Sequence, residues 1–182
     1  MITKLKNVVL SFPNLFKAQV FEQGEPAYSA IFILDKTDPQ VAEIEKLIKA
    51  VASDKWGAKA DPILKSIIAS NKSCLRDGAD KAQYAGFAGK VYISARSTDR
   101  PTVIDRDRAS LMPDANKCHA GDVVNCSLDV WAMDNKFGKR ICASLRGVQF
   151  VKQGECFSGS APAKADEFDD VSDVGNDEND LL

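Results

Sequence analysis

Several features are missing from this 182-residue chain, and each absence narrows the reading. No apolar run approaches the ~18 residues that a membrane-spanning helix needs. The segment Met1–Asn7 lacks an apolar h-region and a small-residue cleavage site, so it does not read as a secretory signal. There is no Gly-rich phosphate loop of the Walker type. Histidine occurs once, as His119 beside Cys118, which is a poor basis for histidine-based general acid–base catalysis. The five cysteines, Cys74, Cys118, Cys126, Cys142 and Cys156, are odd in number and widely spaced, and no CxxC occurs. They read as buried free thiols in a reducing cytoplasm, neither a disulfide framework nor a zinc site. No cofactor, metal or catalytic residue is expected.

Net charge is also low, at −2, but it is unevenly placed. Residues 166–182 hold eight acids and no Lys or Arg, so the other 165 residues carry 18 acids against all 24 bases, a net of +6. A basic body thus precedes an acidic tail. Charge asymmetry of this kind points to an electrostatic partner.

The body alternates like a β-protein. Val8, Leu10 and Phe12 recur at period two in a strand over Lys4–Phe12, ended by Pro13-Asn14. Ala27–Asp35 is a second strand, rich in β-formers. Asp38-Pro39 then starts a helix, with Val41, Ile44, Leu47, Ile48 and Val51 on one face. Asp61-Pro62 repeats the signal before Ile63, Leu64, Ile67 and Ile68. Asn71–Gly86 reads as a loop, and Lys90–Arg96 as a strand. Gly121 to Met133 and Lys139 to Val151 form a long hairpin about a turn at 134–138. Five strands with inserted helices suit a small barrel of the oligonucleotide/oligosaccharide-binding (OB) type, with a β-sandwich as the alternative. The domain spans residues 1–160. Residues 161–182, poor in apolar residues and rich in like charges, are expected to be a disordered tail.

Alternation also predicts what lies on the outer faces. Val91, Ile93 and Ala95 face inward, which leaves Lys90, Tyr92, Ser94 and Arg96 outside. Val124, Cys126, Leu128, Val130 and Ala132 form an apolar set, opposite Asn125, Ser127, Asp129 and Trp131. Ile141, Ala143 and Leu145 face in, opposite Arg140, Cys142, Ser144 and Arg146. One outer face therefore holds Tyr92 and Trp131 among Lys90, Arg96, Arg140 and Arg146. Aromatics interleaved with cations suit an unpaired nucleic-acid strand: bases stack on rings and cations track phosphates. The opposing reading is that the helices cover this face and the rings are packing.

Further candidates are Arg100, the basic hairpin tip with Lys136, Phe137, Lys139 and Arg140, and Tyr84 before the third strand. Phe87 also flanks that strand, to stack or to plug the barrel. Arg106 and Arg108, alternating with Asp105 and Asp107, read as local solvated ion pairs. The tail residues Asp169, Asp170, Asp173, Asp177, Glu178 and Asp180, with the terminal Leu181-Leu182, suit a tethered competitor for the basic face and an anchor for a partner.

Several short motifs occur in a telling order. They are Val9-Leu10-Ser11-Phe12-Pro13-Asn14-Leu15-Phe16, Tyr28, Asp77-Gly78, Tyr84-Ala85-Gly86, Arg100-Pro101-Thr102-Val103-Ile104-Asp105, Gly121-Asp122 and Leu145-Arg146-Gly147-Val148-Gln149-Phe150. Over approximately residues 5–157 the chain resembles phage-encoded single-stranded-DNA-binding proteins. The resemblance implies an OB fold, non-catalytic binding of single strands, and service in phage replication or recombination in the cytoplasm of an infected bacterium. It also implies that the acidic tail contacts replication or recombination proteins. Tails of that kind commonly end in an aromatic residue, whereas this one ends in Leu181-Leu182.

Two other classes stand beside this reading. A metal-dependent nuclease would use Asp99, Asp105 and Asp107 to hold Mg²⁺, although arginines lie next to each. A protein–protein adaptor would make Trp131 an interface hot spot. The expected partners are single-stranded DNA and tail-bound replication proteins, with no membrane; a homodimer is left open.

Overall fold

A computed structural model describes residues 1–20, 24–155 and 157. The tail, with every tail residue named above, and Cys156 lie outside the described residues. Five long strands carry the fold: β1 (Ile2–Gln19), β2 (Ala27–Asp35), β4 (Lys90–Ser97), β6 (Val123–Asn135) and β7 (Gly138–Lys152). Two strands of three residues, β3 (Leu75–Asp77) and β5 (Thr102–Ile104), were not evident in the alternation because three residues carry no period. All seven join one sheet in the order β3-β4-β2-β1-β6-β7-β5. Every pairing is antiparallel except β5 with β7. β4 and β7 are not hydrogen-bonded neighbours in that order, yet they lie against each other, so the sheet curls towards a barrel. The fold is mainly β with inserted helices, as expected, and one curled sheet replaces the two stacked sheets of the sandwich alternative.

The helices sit between β2 and β3. α1 (Pro39–Trp56) starts as its sequence dictates: the Asp38 carboxylate accepts from the Gln40 backbone N–H at 2.8 Å, and Pro39 needs no acceptor. It buries Val41, Ile44, Ile48, Val51 and Ala52, and ends at Gly57, whose φ of 55° suits glycine. α2 (Ala60–Ala69) begins one residue before Asp61, and Asp61 stands in its first turn without capping it. Of the expected face, Leu64 and Ile67 are buried, while Ile68 is exposed because the helix ends one residue later. Both helices pack on the inward side chains of the sheet. The outward side chains Trp131 of β6 and Arg146 of β7 are left exposed.

β1 departs most from expectation. It does not end at Pro13 but runs on to Gln19. Its pairing with β2 shifts register between Ser11 and Asn14, the stretch containing Pro13, which has no N–H for a ladder. At this irregularity Phe12 takes a φ of 45°. Phe12 therefore leaves the Val8–Leu10 face and is exposed.

The sheet has two packed sides of unequal extent. The main core joins inward residues of all five long strands, such as Leu10, Phe32, Ile93, Leu128 and Ile141, to the helices. A smaller cluster on the reverse side holds Ile33, Phe87 and Tyr92, flanked by Val9, Ile31 and Phe157. The 78–89 loop forms this cover by laying the buried Phe87 ring 5.3 Å from Tyr92. Burying rings of this size contributes about 2–3 kcal/mol each.

Candidate nucleic-acid interface

The β6–β7 hairpin places its side chains as the period predicts. Trp131 stands opposite Cys142, and Asp129 opposite Ser144. The inward partners Val130, Ile141, Ala143 and Leu145 are buried, so the outward set is forced towards solvent. Trp131 is 40% exposed, far more than most tryptophans. Its indole N–H donates to the Ser144 hydroxyl at 3.0 Å, which fixes the ring's tilt. The ring lines a groove of about 770 Å³ whose wall also includes Arg96, Arg100 and Arg146. Two acids line it too. One of them, Asp129, is paired with the N-terminal ammonium at 2.7 Å, which offsets its charge. Arg96 closes one side by donating to the Glu25 carbonyl at 2.7 Å. The structure thus brings together Arg96, Arg100, Trp131 and Arg146.

It does not bring Tyr92 or Lys90 to that groove. Tyr92 lies on the outer side of β4, as alternation requires, but is fully buried under the 78–89 loop. Its hydroxyl donates to the Asp80 carboxylate at 2.8 Å. Burial and that bond push its pKa up to about 12. A base has no access to this ring. Period two assigns a face; it says nothing about what a later loop lays over it. Lys90, at the opposite end of β4 from Arg96, is paired with Asp35 at 2.7 Å.

The hairpin tip divides. Phe137 is 72% exposed, with the Lys136 ammonium 5.1 Å from its ring centroid. Lys139 is engaged with Asp134, which also accepts from the Trp56 indole N–H at 2.9 Å. That places Lys139 in a structural contact between α1 and the hairpin. Arg140 is exposed opposite Met133, near the tip.

Tyr84 occupies a second groove, of about 520 Å³, together with Phe12 and Lys81. Arg96 lines both grooves and so connects them. Phe12 and Lys81 were not among the sequence candidates. Pro13 directly after Phe12 was the available signal, since a proline inside a strand marks a bulge. Lys81 had no comparable mark.

The nuclease alternative loses its centre. The Asp105 carboxylate is bound by the Lys117 ammonium, a hydrogen bond that holds its pKa below the usual carboxylate range. Among the described residues no group of three or more His, Cys, Asp or Glu side chains gathers to hold a metal ion. Cys74, Cys118, Cys126 and Cys142 are free thiols, as expected. Burial raises all four, Cys74 and Cys118 to about 12, so none is a ready nucleophile.

The fold and groove together define a curled, mainly antiparallel β-protein with an aromatic, arginine-lined outer groove. The chain belongs to the Enterobacter phage Enc34 ssDNA-binding protein family, whose model matches residues 1–182. Protein p50 of Acyrthosiphon pisum secondary endosymbiont phage 1 is 43% identical over 173 residues, covering 93% of each chain. Among solved structures, the single-stranded DNA-binding protein from bacteriophage Enc34 in complex with ssDNA is 29% identical, with a TM-score of 0.75. That match covers 86% of this chain and 89% of the other. The single-stranded DNA binding protein gp2.5 of bacteriophage T7 matches with a TM-score of 0.59 over 94% of this chain and 96% of its own, and at 13% identity it shares the fold alone. The family is one of binding proteins, not enzymes. Among the described residues no helix is long and apolar enough to cross a membrane.

Proposed function

We propose that this protein binds single-stranded DNA without base preference, by stacking bases on Trp131 and holding phosphates with Arg96, Arg100 and Arg146. One observation carries the reading: an indole tilted by Ser144 stands open to solvent in a groove shared with three arginines. Every base has a flat face, so stacking tolerates any sequence, and duplex DNA hides those faces. The Enc34 relative, which carries ssDNA in its solved complex, supports the same reading. An OB-type barrel, five-stranded and partly open, suits it too, and the curling of the five long strands with β4 against β7 supports it. The service is replication or recombination of phage DNA.

The acidic tail completes the reading as a tethered competitor of DNA and a contact for replication or recombination proteins. Support comes from where its tether begins. Phe157 donates its N–H to the Ala120 carbonyl at 3.3 Å, and its ring packs under Gly86, two residues from Tyr84. Eight acids, the first of them Asp166, nine residues beyond Phe157, then have a high effective concentration near the grooves.

The deciding experiment is titration with oligo-dT while following tryptophan fluorescence. Quenching is expected, and Trp131→Phe must remove most of it, since Trp56 is the only other tryptophan. Quenching that survives Trp131→Phe would place the strand elsewhere. The adaptor reading would gain if no single strand quenched the protein at all.

A further inference from the structure

The outer side of the sheet holds a further basic groove, which the strand reading leaves unused. It measures about 430 Å³ across β1, β6, β7 and β5, and Lys4, Lys6 and Arg146 line it. Among the described residues no carboxylate and no aromatic ring lines it. The groove therefore offers charge to an anion and nothing for a base to stack on.

Two bulges build this groove. Leu5 pairs with Cys126 and Val8 with Val124, so Lys6 and Asn7 of β1 together face Asn125 of β6. On the other side of β6, Ser127 pairs with Gly147 and Leu128 with Leu145, which leaves Arg146 as the extra residue of β7. A bulge inserts a residue into one strand and re-aims a side chain. Here each bulge projects a cation, one on either side of β6. Lys6 and Arg146 are exposed, while Leu5, Val8, Leu145 and Val148 beside them are buried. Hydrogen bonds hold the β1 bulge in place. The Gln40 side-chain amide of α1 accepts from the Lys6 N–H at 2.8 Å and donates to the Lys6 carbonyl at 3.0 Å. The Asn7 N–H donates to the Asn125 side-chain carbonyl at 3.0 Å, and Asn7 takes a φ of 54°, which asparagine tolerates. Asn125 in turn donates to Gln149 at 3.0 Å, giving the groove a fixed polar floor.

The tether of the acidic tail ends close by. Phe157 is bonded to the Ala120 carbonyl, and Gly154 donates its N–H to the Asp122 carboxylate at 3.3 Å. Both anchors lie just before β6 begins at Val123. Asn125 and Ser127 are ~7–13 Å along the strand from Val123, whereas Trp131 is ~27 Å along it. Asp166 is nine residues beyond Phe157, a reach of up to ~30 Å. The first acids thus meet Lys6 and Arg146 with slack in the chain, and reach Trp131 only near full extension.

We infer that the tail seats its acids in this groove, with carboxylates on Lys4, Lys6 and Arg146, and so withholds Arg146 from the strand at Trp131. The inference rests on the tail reading above and names the surface on which the competition occurs. Arg146 lines both this groove and the Trp131 groove, so one guanidinium serves either the tail or a phosphate. The tail competes without covering a ring. Lys4 and Lys6 hold the tail and touch no DNA.

The test combines Lys4→Gln and Lys6→Gln in the full chain, where both side chains are exposed and the fold should be kept. Anisotropy of labelled oligo-dT at low salt should show an affinity about two- to threefold higher, the share of one regained phosphate contact. A DNA contact by these lysines would lower affinity, so the sign decides between the two roles. Lys46→Gln with Lys49→Gln removes the same charge from exposed positions of α1 and should leave binding about as it was. The second measurement compares amide NMR spectra of the full chain and a variant whose eight tail acids are replaced by Asn or Gln. Differences should centre on residues 4–7, Asn125 and Gly147, and should vanish at high salt, because exposed charge pairs are screened. Differences centred on other residues, or none at all, overturn the dock. A lower or unchanged affinity of the Lys4 and Lys6 variant overturns it as well, and so does an equal gain in the Lys46 and Lys49 variant. If the neutral tail still tightens binding in any of those cases, the tail competes at another surface and only the dock is lost. If the neutral tail leaves affinity unchanged, competition itself fails, and the withholding of Arg146 fails with it.

Discussion

The arginines around Trp131 make a quantitative claim about salt. Each cation that neutralises a phosphate of a single strand releases counterions and adds about −0.7 to the slope of log K against log salt. If the three groove arginines, Arg96, Arg100 and Arg146, each hold a phosphate as proposed, together they should contribute about −2. Over a fourfold rise in salt that is roughly a twentyfold loss of affinity, or about 2.6-fold per arginine. Arg146→Gln removes one charge from an exposed side chain on the groove wall. Its effect on stability should stay within about 0.5 kcal/mol. The measurement is fluorescence titration with oligo-dT at a series of salt concentrations. The slope should become shallower by about 0.7 for Arg146→Gln, and by a similar step for Arg100→Gln. Arg108→Gln serves as the control, because Arg108 is exposed in the loop after Asp105 and lines neither groove. Affinity that falls without any change of slope would mean that Arg146 acts through shape. An equal change in the Arg108→Gln protein would mean that the whole basic body, and not this groove, attracts the strand.

Three further outcomes follow from the same geometry. Deleting residues 166–182 should tighten single-strand binding and alter its salt dependence; unchanged or weaker affinity in the titration would sink the competition model. Tyr92 favours its protonated form in the folded protein, with a pKa raised from 10.0 to about 12. Its contribution is therefore complete below pH 10 and is lost, by about 2–3 kcal/mol, as pH rises from about 10 to 12. Urea unfolding of Tyr92→Phe should show a cost of about 1 kcal/mol at neutral pH and a weaker fall across that alkaline window; parallel curves for the two proteins would refute the assignment. Gly86→Ala should cost about 2 kcal/mol, because its φ is +85° and its Cβ would stand 2.4 Å from the Phe157 ring, and thermal unfolding that matches the unaltered protein would show the contact to be dispensable.

The β6–β7 hairpin was legible because thirteen and fifteen residues carry many periods, and a one-residue error would bury charge throughout. Trp131, Arg140 and Arg146 could be placed outward on that basis. Helix α1 was legible for a local reason, since Asp38 and Pro39 satisfy or dispense with its first backbone N–H groups. The strand pairs β3–β4 and β5–β7 were not legible, because their partners are distant in sequence and their own length is too short for a pattern.

Tyr92, Phe12 and Lys139 show the limit most clearly. Their residue types are those of a binding face, and period two assigns Tyr92 its side correctly. Whether a side chain on that side meets water depends on where the 78–89 loop lies. That loop is held by Asp80, Phe87 and Gly78, contacts made only once β4 is in the sheet. Phe12 is turned out by a bulge against β2, and Lys139 is drawn off by Asp134 beside Trp56. By itself, then, the sequence determined the charge division, the long strands, α1 and the outward direction of the Trp131 row. Those properties are local or periodic, so neighbours along the chain suffice to specify them. The tertiary structure alone decided which outward residues are open and which share a groove. Exposure is set by segments distant in sequence, and alternation along one strand carries no information about them.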